Sequence, residues 1–481
     1  MALIPTPTSG RRPRPRRAAL LLGALVIALV PLVAAGIYNA GASTVGKVKL
    51  VTTSKAPATP NRQLKPFGAT SSKPDYSVPS PPGQPTLVPT IGTKTTQRLY
   101  GRNAFQEAVS VTQHVWPAVL PENLPTENNN DPDRPWGVTL ITPDDPLTAI
   151  TAVPLLHFPD DAPILYVTRS GIPKVTANEI KRLGDTGISR YHGVDAFLVG
   201  AAANPGVERQ LKAMGLKYAA VTAANVPALA NTVDKLYGSI ENPDTGVPDM
   251  DNGALNVMVG SMQSYRYLLP ATHWVAHMAS GLLWVNANSV PQATIDALKR
   301  RNGQARIYLF GGPKQISAKV AKQLSAYGAV MRVTNDDIVA FNKDPKDTAP
   351  DTAIAFAKMW DAAGEVGWKI TGPGHGFTLV NSNDWQAAVA SAPLSHLGFH
   401  APLLLTDSAT KLAPQLDAYY KSVAPTYLTS PADGPYNMTF VLGSWKRVAW
   451  QVQAHVDYIS EMANRRVWNT STGGRYTDSQ P

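Results

Sequence analysis

Gly137-Val138-Thr139-Leu140-Ile141-Thr142, then Asp144-Asp145, then Ala152-Val153-Pro154-Leu155-Leu156, then Ala162-Pro163-Ile164-Leu165-Tyr166-Val167-Thr168: this stretch decides the fold. Two short apolar runs flank a helix-length segment, the pattern of buried parallel strands in a βα unit. The unit returns as Gly376-Phe377-Thr378-Leu379-Val380-Asn381, Asn383-Asp384, Ser391-Ala392-Pro393-Leu394 and Ala401-Pro402-Leu403-Leu404-Leu405-Thr406, with the same spacing from aspartate to proline. A degenerate copy lies between them, as Leu255-Asn256-Val257-Met258-Val259-Gly260 and Gly281-Leu282-Leu283-Trp284-Val285. Leu140, Met258 and Leu379 are roughly 120 residues apart, a period too long for a solenoid and suited to three small α/β domains in series.

Each copy extends in both directions. Before its first strand comes a short strand and a helix: Arg98-Leu99 with 104–116, Tyr218 to Val221 with 226–237, and Val330 to Val333 with 352–360. In the last of these, Ala353, Phe356, Ala357 and Trp360 repeat at helical spacing and predict a core-facing stripe. After the second strand comes a helix, led by Pro291 in copy two. A third apolar run then ends in glycine: Ala196 to Gly200, Arg306 to Gly311-Gly312, and Met438 to Gly443.

These residues resemble the type 2 cell-wall-binding repeat family. The resemblance rests on Arg98, Gly101 and Ala108; Asp145, Ala149 and Pro154; Ala162-Pro163; Gly311-Gly312 with Ile316-Ser317; and Asp384, Ala388 and Pro393 with Ala401-Pro402. It covers residues 96–465. Copy two departs from it with Gln263 in the aspartate position, and copies one and three have Gly200-Ala201 and Gly443-Ser444 in place of Gly-Gly. Copy one also carries the insertion 120–135. The resemblance implies three tandem Rossmann-like repeats with small parallel sheets, packed as a pseudo-threefold unit. It also implies non-covalent attachment to an anionic cell-wall polymer.

The N-terminal region reads differently. Five arginines among residues 11–17 precede an apolar run, and residues 18–38 are expected to form a transmembrane anchor behind a cytoplasmic tail, 1–17. The rival is a signal peptide cut after Ala42, although such apolar regions are usually about 7–15 residues long. Residues 39–95 read as a Pro/Ser/Thr-rich disordered linker, whose lysines either are solvated or touch anionic polymer. The repeats follow at 96–216, 217–328 and 329–465, with a disordered tail at 466–481.

The formal charge of +10 divides along the same lines. Residues 1–42 contribute +5 and residues 43–95 contribute +6, so the remainder carries −1. The basic character therefore belongs to the tail and linker, and nucleic acid is not an expected partner. The absence of cysteine excludes disulfides, thiolate metal sites and a cysteine nucleophile.

Asp145 and Asp384 each follow a strand and open a helix. They can line a pocket at the carboxyl ends of the strands or cap the helix, and capping is the commoner use. Gly311-Gly312 can present amides to an anion or serve a tight turn. The tentative ligand-binding set is Asp145, Asp384, Gly311, Gly312, Gly443 and Arg98. His273 with His277, and His396 with His400, have i, i+4 spacing, but no glutamate follows the first histidine as zinc hydrolases require. His157 and His396 hold equivalent repeat positions, which points to a structural role. Trp274, Trp360, Trp385, Trp445 and Trp450 can stack on sugars or pack between repeats.

The expectation is thus a non-catalytic, membrane-anchored bacterial envelope protein that binds wall polymer, without metal or cofactor. A protein partner at the cell surface is also possible on this reading. A surface scaffold and a wall-remodelling hydrolase are the alternatives.

Overall fold

A computed structural model describes residues 90–118, 133–157, 161–238, 255–333 and 348–464, apart from 186, 189–190, 397–398 and 428–429, together with 468–469 and 474–475. The basic tail, the apolar run 18–38 and the linker as far as residue 89 lie outside them. Among the described residues no helix is long and apolar enough to cross a membrane.

The chain is α/β, built on small, mainly parallel sheets. Thr90–Gly92 (β1) and Thr96–Leu99 (β2) come first and form an antiparallel pair. Residues 90–92, at the end of the expected linker, are therefore an edge strand. The first four-stranded sheet contains Val138–Ile141 (β3), Ile164–Tyr166 (β4), Ala196–Val199 (β5) and Tyr218–Val221 (β6), in the order β4-β3-β5-β6. The second contains Asn256–Ser261 (β7), Gly281–Val285 (β8), Ala305–Phe310 (β9) and Gly328–Val333 (β10), in the order β8-β7-β9-β10. The third contains Gly376–Asn381 (β11) and Leu403–Thr406 (β12). After the two-residue strand Thr426–Tyr427 (β13), Met438–Leu442 (β14) joins β11. The third order is β12-β11-β14-β2-β1.

Pairing moves one element relative to the sequence repeat. The strand read as opening a copy completes the sheet of the preceding one: β6 pairs with β5, and β10 pairs with β9. The third sheet takes that strand from upstream instead: β2 lies beside β14, with Thr96 opposite Thr439 and Leu99 opposite Leu442. At the other end of the chain, in the tail expected to be disordered, Trp468–Asn469 pairs with Gly474–Arg475.

The strands form where they do because both of their faces are covered. β3, β5, β8 and β12 are buried at every position, so continuous apolar runs are stable there and alternating ones would not be. A threonine in the helix after the second strand fastens that helix to the strand end. Thr176 Oγ1 donates to the Tyr166 carbonyl at 2.8 Å, and Thr294 Oγ1 donates to that of Trp284 at 2.5 Å.

Side chains join the three α/β units. Helix Leu269–His277 packs on the turns Val153–Leu156 and Ala392–Ser395. Trp284 Nε1 donates to Thr151 Oγ1 at 2.7 Å, and the Tyr166 hydroxyl donates to the Gln386 carbonyl at 2.7 Å.

Arg98 fastens the returning strand. It is fully buried, and its guanidinium donates to Gly443 O at 2.7 Å, Val448 O at 2.7 Å and Gln453 Oε1 at 2.9 Å. Arg332 does the same for the second sheet, donating to Gly311 O and, at 2.8 Å, to Ile316 O. The first sheet has Ala220 at the matching register.

Arg98→Ala should lower unfolding stability by about 3 kcal/mol or more, because it leaves buried acceptors unmatched. Arg98→Lys should not restore it, since an ammonium cannot span three acceptors fixed around a planar fork. Urea unfolding checks this, and parent-like midpoints for both variants would refute it.

Candidate functional site

In each sheet the first and third strands of the unit lie side by side; in the first two the chain leaves them in opposite directions, and in the third β2 takes the place of the onward strand. Such reversals leave a crevice beyond the carboxyl ends of the strands, where open α/β sheets take ligands. The crevices fall between β3 and β5, β7 and β9, and β11 and β14. Most of the residues expected to bind ligand stand at these three places.

The first crevice is closed by local contacts. Asp145 caps its helix, accepting from Leu147 N at 3.0 Å and Thr148 Oγ1 at 2.6 Å. Gly200, at φ +59°, faces Thr148 so closely that a Cβ would lie 2.7 Å from its methyl.

In the second crevice, Gln263 replaces the aspartate, accepts from Ala287 N at 3.1 Å and donates to Asn286 Oδ1 at 3.0 Å. Gly311 has φ +106°, a turn conformation that other residues resist, and the ring of Tyr267 lies 3.3 Å from where its Cβ would be. Gly312 is buried beside it.

The third crevice is charged. Asp384, equivalent to Asp145 in the repeat, makes no side-chain capping bond. The Ala387 amide is near enough to favour its ionised form without the geometry of a cap. Its Oδ2 instead lies 3.6 Å from Arg447 Nε. Gly443, at φ +92°, permits the approach, since a Cβ there would sit 3.2 Å from that same oxygen. The Gly443 N–H donates to Glu107, which arrives on helix Ala104–Val115. Arg98 holds the Gly443 carbonyl from behind.

Two carboxyls thus share a buried place. Burial, and then the nearby Asp384, push Glu107 up to about 8. Burial also raises Asp384, partly offset by Arg447. The Tyr166 hydroxyl is held well above its ordinary value by burial and by both carboxyls.

The rim is aromatic and cationic. Trp445 is half-buried with the Arg98 guanidinium 3.8 Å from its ring centroid, and Trp450 meets it edge-on at 5.9 Å. Lys446 and Arg447 are exposed beside them. Exposed cations next to partly open indole faces can hold an anionic or sugar-like polymer.

Of the expected set, Arg98, Asp384 and Gly443 come together here, with Arg98 in a framework role. Asp145 and Gly311-Gly312 lie in the other two crevices. Trp274 is buried in the core, where it packs edge-on against Phe356 and Trp368. Glu107 and Arg447 complete the charged crevice and were not anticipated. Glu107 did leave a signal. Ala104, Glu107, Ala108, Val111 and Val115 form a single helical stripe, so a carboxyl falls on the apolar face.

An open pocket of about 430 Å³ in the first unit, lined by Thr168, Gly171, Arg209 and Gln210 among others, shares no residue with this crevice. Among the described residues no group of three or more histidine or carboxylate side chains has the geometry of a metal site.

The arrangement defines an α/β protein of small parallel sheets whose charged crevice lies at a topological switch point. Two solved structures share its fold. Cwp6 from Clostridium difficile matches with a TM-score of 0.53 and 17% identity, over 75% of this chain and 48% of that one. Cwp8 from Clostridium difficile matches at 0.54 and 14%, over 76% of this chain and 52% of that one. The chain therefore spans about half the length of each. No protein-family model matches the sequence, and no curated protein does.

Because its folded-state pKa is raised from 4.5 to about 8, Glu107 contributes stability that is full below 4.5 and is lost as pH rises through about 8. Glu107→Gln should remove that slope. Between pH 5 and 8 the parent should lose stability relative to the variant by up to about 1.4 kcal/mol per pH unit. Parallel curves for the two proteins in urea titrations would exclude the assignment.

Proposed function

We propose that this chain is a non-catalytic bacterial cell-envelope protein of the type 2 cell-wall-binding repeat kind. Its three α/β units form a pseudo-threefold body that docks on anionic wall polymer, and residues 18–38 hold it to the membrane. The units stand outside the cell, and the linker carries them away from the bilayer. The observation that carries this reading is the third crevice, where Asp384 faces Arg447 beside the half-buried Trp445 and Trp450 and the exposed Lys446. The shared fold with Cwp6 and Cwp8 supports it, as does the repeat pattern of the sequence.

Hydrolysis fits the crevice poorly. A general acid must reach the bond it protonates, and Glu107 is enclosed and committed to the Gly443 amide. The scaffold reading draws on one specific observation, that Asp145 in the first crevice and Gln263 in the second are committed to hydrogen bonds with neighbouring protein groups.

A fragment of residues 68–481, which contains all the described residues, should co-sediment with purified anionic wall polymer at low salt and less so at moderate salt, because exposed charges are screened. Trp445→Ala and Arg447→Ala should each weaken retention about five- to tenfold, the scale of a lost aromatic or cationic contact. Retention unchanged by both variants would move the contact elsewhere. No retention at either salt would leave the scaffold.

A further inference from the structure

Five of the nine histidines crowd a single junction. His157 follows the turn Val153–Leu156 of the first unit, and His273 and His277 lie on helix Leu269–His277 of the second. His396 and His400 follow the turn Ala392–Ser395 of the third. The ring of His396 lies 5.0 Å from that of His157 and 5.9 Å from that of His277, and His277 lies 5.0 Å from His400. One turn earlier, His273 ties the second unit to the third through Ala401 O at 2.8 Å and Ser391 Oγ at 3.1 Å.

The surroundings of His277 favour a neutral ring. Trp368 stacks on His277 at 5.1 Å, and Trp274 meets it edge-on at 5.9 Å. The Nδ1 atoms of His277 and His396 are buried and find no hydrogen-bond partner among the described residues. Asp161 faces the cluster, with its Oδ1 3.5 Å from His396 Nε2. His114 stacks on Phe399 at 5.1 Å. A second proton would place like charges about 5–6 Å apart in a poorly solvated space, which is unfavourable.

We propose that this junction is an acid-sensitive joint: as pH falls, protonation of the clustered histidines loosens the packing of the three units against one another. The direction follows from linkage. Burial first, then neighbouring histidines, hold His157 and His277 down to about 3, and burial holds His273 down to about 4. The unfolded chain therefore binds more protons below 6.5, so stability is full above that value and is lost as pH falls towards 3. Glu107 and Asp185, both raised to about 8, act in the opposite sense over part of this window. The difference between parent and variant is therefore the informative quantity.

Urea midpoints of the full chain from pH 7.5 to 5.0 test the joint, compared among the parent, His157→Asn, His277→Asn and the double variant. Each histidine removed should flatten the dependence of the folding equilibrium by up to about tenfold per pH unit below 6.5. A double variant whose profile parallels the parent's overturns the proposal. Hydrogen exchange of the parent provides a second reading that needs no variant. On moving from pH 7 to 5, and after correction for the intrinsic rate, protection should fall at 269–277 and 392–396 before it falls in β3, β7 and β11. Loss at the same pH throughout, or no loss at the junction, overturns it equally.

Discussion

The third sheet cannot be completed by the segment that precedes or follows it. The place beside β14 is filled by β2, which lies some 340 residues upstream of its partner, and the rest of the arrangement depends on that return. Arg98 makes it specific. A guanidinium carried in by β2 engages the turn after β14 through the carbonyls of Gly443 and Val448. The turn so fixed carries Arg447 to Asp384, and the helix after β2 carries Glu107 to the amide of Gly443. The charged crevice is thus a product of closure: three of its members arrive with the helix after β2 or with the turn that β2 holds.

That dependence explains what the sequence revealed and what it concealed. The first three strands of each unit announced themselves as largely apolar runs, the third of them ending in glycine. The partner of β2 did not, since its local sequence is equally compatible with pairing forwards or backwards along the chain. Asp145 and Asp384 occupy the same place in their repeats, yet one caps a helix and the other faces an arginine. The difference lies in Arg447, which comes from another loop and enters only through the tertiary fold. Glu107 was the legible exception, a carboxyl on the apolar stripe of an otherwise ordinary helix.

The two buried clusters place opposite demands on protons. At the carboxyl crevice the fold favours holding a proton that the unfolded chain would release. At the histidine junction it favours releasing protons that the unfolded chain would hold. Both arise from the same physical cause, the cost of a charge with too little solvent around it. Both also lie where separate units meet, so the titration of single side chains is coupled to contacts across the whole body.

The return of β2 also constrains how the chain comes to be folded. β2 is made early and finds its anchoring partners last, since Gln453 is 355 residues beyond Arg98. Until then it has only β1 beside it, and its arginine has acceptors that do not yet exist. Contacts so distant in sequence make folding slow and leave intermediates with open edges. The third sheet can therefore be completed only after nearly all of the chain has been made.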